Sequence, residues 1–192
     1  MRLIVVRFAL LLLLGALGSA GCGDPLSLLP AAFENRVDSA VAMYAVSRTP
    51  VNLPSGYLVS QRAAVRLDQV PSFDFLYDVT PAGEHVFIPL AALVHTGRTS
   101  GNPGFREELS VPFDSIKLPP QQDYITADTV RFRPGEVYYV RSALDPSCSL
   151  GIPYYAKLQI LAVDDSAFKV TFRILANINC GYRSLEPGIP TK

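Results

Sequence analysis

With 192 residues and 17 Lys and Arg balancing 17 Asp and Glu, the chain has the length of one domain and no charge field suited to nucleic acid or anionic lipid. Nine Tyr, ten Phe, 16 Pro and no Trp describe strands broken by turns, and no repeat, heptad or low-complexity block interrupts them.

The first element is a leader. Arg2 and Arg7 flank the start of an apolar run over residues 3–6 and 8–14, small residues fill positions 15–21, and Cys22 follows. A basic start, a short apolar core and a small-residue exit make a secretory signal peptide. The run falls short of the ~20 apolar residues that span a bilayer. With the cysteine just after its exit, residues 1–22 resemble a bacterial lipoprotein signal. Ser19 stands where that family commonly carries a branched apolar residue. The resemblance implies that Cys22 takes diacylglycerol through a thioether and is acylated on its amine after cleavage. It also implies that Gly23, in place of an Asp directly after the cysteine, sends the protein to the outer membrane. Multiple acyl chains, at ~0.8 kcal/mol per buried methylene, would anchor it without any membrane-binding surface on the fold.

Residues 22–32 read as a tether containing Pro25 and Pro30, and residues 33–192 as a single domain. Residues 37–46 suit either a helix or a strand. Turn signals crowding positions 50–56 favour the strand. Residues 57–60 and 63–67 read as one or two strands. Residues 73–79 alternate, with Phe73, Phe75, Tyr77 and Val79 on one face and Asp74 and Asp78 on the other. That pattern predicts a half-buried antiparallel strand with a solvated acidic face. A turn at 81–83 leads to a strand at 86–90. Residues 97–108, rich in glycine and charge, read as a mobile surface loop. Strands follow at 129–133, 137–142 and 154–163. A loop at 164–167 returns the chain into a strand with Phe168, Val170, Phe172, Ile174 and Ala176 on one face. Such spacing predicts an antiparallel β-sandwich or open barrel of about eight to ten strands.

With Cys22 lipidated, Cys148 and Cys180 remain as an even pair. They form either a disulfide, which an exported compartment permits, or two buried thiols. A four-residue hairpin loop pairing Val163 with Phe168 puts the two cysteines near each other at the open end of the last hairpin. A bond there would clamp that end.

The search for chemistry is thin. Gly97-Arg98-Thr99-Ser100-Gly101 places its serine one position late for a nucleophile elbow and lacks the strand-to-helix setting. Ser166 and Lys169 have a Ser-x-x-Lys spacing, but a hairpin makes their side chains diverge. His85 and His95 are the only histidines, and in an extended segment they lie ~33 Å apart. Asp74 and Asp78 are ~13 Å apart along a strand, too far for paired-carboxylate glycoside chemistry. Asp164 and Asp165 form a turn pair without the spaced oxygen ligands of a calcium loop. Tyr138-Tyr139 and Tyr154-Tyr155 each put one ring on each sheet face. The outward rings are either a partner surface or isolated surface tyrosines.

The segments Val137-Tyr138-Tyr139-Val140-Arg141, Tyr155-Ala156-Lys157-Leu158-Gln159-Ile160 and Val170-Thr171-Phe172-Arg173 resemble the terminal strands of uncharacterised bacterial lipoproteins. They are distantly similar to the all-β, haem-binding HmuY-like lipoproteins. The resemblance implies an all-β surface lipoprotein. Neither histidine matches that family's haem ligands.

The expectation is a non-enzymatic, lipid-anchored envelope lipoprotein, exported to the outer membrane, with no cofactor or metal. It binds a partner protein, glycan or small ligand through the loop at 97–108, where Arg98, Thr99, Asn102, Phe105 and Arg106 are the candidate contacts. The alternatives are capture of haem or a haem-like ligand and, more remotely, an exported hydrolase.

Overall fold

The computed structural model describes residues 29–94 and 101–191. The leader, Cys22, most of the tether, His95, Arg98 and Thr99 lie outside the described residues. From Ala31 on, the chain groups into one unit.

Ten strands build two antiparallel sheets. In chain order they are β1 (Val37–Tyr44), β2 (Gly56–Leu58), β3 (Ala63–Val65), β4 (Phe75–Val79), β5 (His85–Pro89), β6 (Gly104–Glu108), β7 (Val130–Arg131), β8 (Val137–Leu144), β9 (Pro153–Asp164) and β10 (Lys169–Asn177). One sheet has the order β1-β10-β9-β8-β6, the other β3-β2-β4-β5-β7. Neither closes on itself, so the fold is an all-β sandwich and not a barrel.

The alternation in β4 drives the sandwich core. Phe75, Tyr77 and Val79 turn inward and are buried, together with Tyr57, Phe87, Phe105 and Phe172. Their rings interlock: Phe75 and Phe105 have centroids 4.8 Å apart, edge to face, and Phe87 stacks on Phe105 at 5.1 Å. Each such pair contributes about 0.5–1.5 kcal/mol beyond its buried area. From the other sheet come Leu158, Ile160, Val170, Phe172 and Ile174, all buried.

The β1–β10 sheet is covered on its outer face as well. Phe113 and Ile116, from the long connection between β6 and β7, and Leu185, from the C-terminal segment, pack over Val137, Tyr139, Tyr155 and Leu175. Tyr138 and Tyr154 point into the sandwich as expected. The outward rings of Tyr139 and Tyr155 are each only 8 % exposed, so they floor a second small core and do not form a free surface.

Three expectations are corrected. Residues 104–108 of the expected mobile loop form edge strand β6, paired with β8 from Gly104 opposite Arg141 to Glu108 opposite Val137. Gly104 is there for close approach: a Cβ would stand 2.6 Å from the Ile125 carbonyl oxygen. The charges of Arg106, Glu107 and Glu108 belong to a sheet edge, where they discourage pairing with another chain. Phe105 is 1 % exposed and central to the core. Asp74 is likewise not on a solvated face, being 1 % exposed.

The last hairpin turns one residue later than expected, pairing Asp164 with Lys169 and Val163 with Val170. Asp164 ends the strand because its Oδ1 accepts hydrogen bonds from the Ser166 and Ala167 amides and the Ser166 hydroxyl. Phe168 closes the turn in a left-handed conformation, with φ 48°.

The Cys148–Cys180 disulfide is present, with Cα atoms 5.1 Å apart. It ties the β8–β9 connection to the segment after β10, at the open end of the last hairpin. Its 32-residue sequence separation contributes about 3–4 kcal/mol in the chain-entropy description.

Candidate functional site

Three concave regions concentrate the chemically able side chains. The first lies at the disulfide end. It is a cleft of about 270 Å³ whose lining includes Ser60, Asp74, Leu90, Ser142 and Asp145. The Asp74 carboxylate accepts from the Ala143 amide at 2.6 Å and from the Val59 amide at 2.8 Å, so it bridges the two sheets. Burial raises its pKa to about 6, against the pull of those two amides. Burial also works to raise Asp145, but hydrogen bonds from Ser147 and Ser60 hold it below the usual range. With a backbone donor on each oxygen, Asp74 acts as a structural clamp.

The second region is a cleft of about 340 Å³ near the opposite end, lined by Glu84, His85, Arg131, Phe132, Arg133 and Glu136. The His85 ring bridges Tyr77 and Asp165: Nδ1 is 2.8 Å from the Tyr77 hydroxyl, and Nε2 is 2.9 Å from Asp165 Oδ1. An ionised Asp165 only accepts, which puts the ring proton on Nε2 and lets Nδ1 accept from Tyr77. Burial, with Asp165 and Asp78 nearby, pushes the Tyr77 hydroxyl upward in pKa, so it keeps its proton. Both His85 nitrogens are thus engaged, which gives haem or metal ligation through this residue no support. Among the described residues, no group of three or more His, Cys, Asp or Glu side chains could hold a metal ion. The distant pairing of His85 with Asp165 had no sequence signal.

The third region is a groove of about 470 Å³ lined by residues 106–110, by residues 118–120 and by Tyr139. Its floor is fixed by Glu108. One carboxylate oxygen accepts from the Ser110 amide, the Ser110 hydroxyl and the Val111 amide, and the other from the Tyr139 hydroxyl at 2.8 Å. Burial opposes ionisation of Glu108, but those donors lower its pKa to about 2. Arg106 stands at the wall, donating to the Gln122 carbonyl and pairing with Asp123 at 3.2 Å. Arg183 donates to the Pro119 carbonyl and holds the diproline segment in place. Leu109 and Leu118 rise at the rim, 85 % and 63 % exposed.

The predicted contact residues therefore separate. Phe105 is core, and the Asn102 carbonyl accepts from Arg141 Nε at 3.0 Å. Among the described ones, only Arg106 borders an open groove. Leu109, Leu118 and Tyr139 were missed as groove residues. The one cue in the sequence was Leu118 directly before Pro119-Pro120, without periodic partners.

No helix among the described residues is long and apolar enough to cross a membrane. Compared with known proteins, the chain matches no family model, no curated protein and no solved structure. The fold defines its class: an antiparallel β-sandwich stapled by one disulfide.

Proposed function

We propose that the chain is a non-enzymatic envelope lipoprotein, held at the outer membrane by acyl chains on Cys22, that binds a partner protein, glycan or small ligand at its surface. The observation that carries the reading is the groove beside β6. It exposes Leu109 and Leu118 above a floor fixed by Glu108 and Tyr139, with Arg106 and Glu107 at its polar edge. Apolar anchors inside a polar rim are the make-up of a recognition surface. The leader and the Cys148–Cys180 disulfide support an exported, oxidising location.

Native mass spectrometry of the full protein, gently extracted from its own membranes, tests this reading. Mass beyond the lipids that is lost in Leu109→Asp and Leu118→Asp variants supports it. A bare acylated monomer, with no cross-linked partner in intact cells, overturns it.

A further inference from the structure

The two ends of the sandwich differ in chemistry. At the disulfide end, five segments come together: residues 31–33, 90–94, 146–152, 178–182 and 187–191. The Asn179 amide bonds both the amide and the carbonyl of Phe33, at 2.9 and 2.8 Å. The disulfide joins residue 180 to residue 148, and Asn35 pairs with Gly188. The Leu90 amide donates to the Asp74 carbonyl at 2.9 Å, and the Asp74 carboxylate reaches Ala143. None of the five segments contains Asp, Glu, Lys or Arg; the charges Glu34, Asp145, Arg183 and Glu186 directly flank them, and Arg62 follows the Val59–Gln61 turn that Asp74 holds.

They do expose large apolar side chains. Phe33 is 52 % exposed, Leu93 and Val94 48 %, Leu150 53 % and Ile189 58 %. Every turn at the opposite end carries charge: Arg48 in residues 45–55, Glu84 in 80–84, Arg133 and Glu136 in 132–136, and Asp165 in 165–168. Of the charges that flank this end, Glu34 is exposed beside Phe33, Glu186 pairs with Lys117, and others are engaged locally. Asp145 is capped by Ser147, Arg62 donates to the Glu34 carbonyl, and Arg36 pairs with Asp38.

We propose that this end, apolar at its exposed tips among the described residues, is a bilayer-contacting surface, with its loops seated at the headgroup boundary of the membrane that holds the lipid anchor. The inference rests on the lipoprotein reading of Cys22. Burying a charge at that depth is costly, whereas exposed Phe, Leu, Ile and Val gain from leaving water. The tether chooses the end. The chain enters the domain at residue 31, within this patch, and the nine residues from Cys22 reach at most about 30 Å even when fully extended. The charged end and the Leu109–Leu118 groove then remain available to partners.

The absence of Trp allows a direct test, since one introduced Trp is the only indole emitter. The full, acylated chain carrying Leu150→Trp, Phe33→Trp or, at the far end, Val51→Trp is reconstituted into phosphatidylethanolamine–phosphatidylglycerol vesicles containing brominated phospholipid. Both Leu150→Trp and Phe33→Trp are expected to shift to shorter wavelength and lose most of their emission, while Val51→Trp keeps its own. Using two positions guards against one variant that fails to fold. Flotation with the vesicles but no quenching at either position overturns the bilayer contact and leaves the anchor intact, as does equal quenching at all three positions. Failure to float overturns the anchor reading, and this inference with it.

Discussion

His85 and Asp165 are 80 residues apart in sequence and meet at 2.9 Å, joining β5 of one sheet to the turn that ends the last hairpin of the other. The energetic weight lies on the other side of the imidazole. Asp165 is 87 % exposed, so its link to His85 is solvent-screened and worth about 0–1 kcal/mol. The Tyr77 side chain is buried, and the ring nitrogen is its acceptor. Asp165→Asn should therefore change unfolding stability by less than about 1 kcal/mol. His85→Ala should cost about 1–3 kcal/mol more, because it strands a buried hydroxyl. Adding Tyr77→Phe to His85→Ala should recover part of that loss in urea titrations. No recovery would place the cost in lost ring packing instead.

Asp74 predicts a stability slope with pH. Its pKa rises from 3.8 to about 6 on folding, chiefly through burial. An acid with a raised folded pKa binds its proton more tightly when folded. Its contribution is complete below about pH 4 and is lost as pH climbs through about 6. The loss amounts to about 3 kcal/mol by pH 7. Urea midpoints measured from pH 4 to 7 should therefore fall relative to those of Asp74→Asn, which has no proton to lose there. Parallel curves for the two proteins would mean that the Ala143 and Val59 amides fully offset the burial.

The sequence is readable where one physical demand acts alone. Phe75, Tyr77 and Val79 of β4 and Val170, Phe172, Ile174 and Ala176 of β10 alternate because the sandwich core dictates that face, even though Leu76 and Leu175 are buried on the other. It misleads where two demands overlap. Gly104 looks like a loop residue but serves close approach of the Ile125 carbonyl, and Arg106 to Glu108 look solvated because they guard an edge. Asp74 falls on the polar side of the alternation, yet the end of β8 covers it and supplies a donor. The outer layer is unreadable locally. Phe113, Ile116 and Leu185 are scattered through irregular segments, and only the assembled sheet gives them a common target. The groove inherits that obscurity, since its walls come from the same connection.

The disulfide should contribute mainly by restricting the unfolded chain. Cys148 is 3 % exposed, so the sulfurs also fill core space. A Cys148→Ala, Cys180→Ala double variant should lose about 3–4 kcal/mol, seen as a lower urea midpoint. Its urea dependence should also steepen slightly, because the released chain exposes more surface on unfolding. An unchanged midpoint would show that Asn179, through its bonds to Phe33 and Asn177, already holds this end closed.

Lys157 gives the sharpest contrast between a polar group that is present and one that is needed. It lies on the outer face of β9, 1 % exposed, with its Nζ 4.8 Å from the centre of the Phe113 ring. Among the described residues its hydrogen bond goes to the Ile116 carbonyl at 2.9 Å. Burial lowers its pKa, with Asp114 opposing. An ammonium has three donors, so the site desolvates a charge and satisfies only part of it. Lys157→Met keeps the volume and removes the charge. It should leave stability within about 1 kcal/mol of the parent, or raise it. Lys157→Ala opens a void beneath Phe113 and should cost about 2–4 kcal/mol. If Met proved as damaging as Ala, the ammonium itself, through Ile116 and the Phe113 ring, would be what holds the outer layer to the sheet.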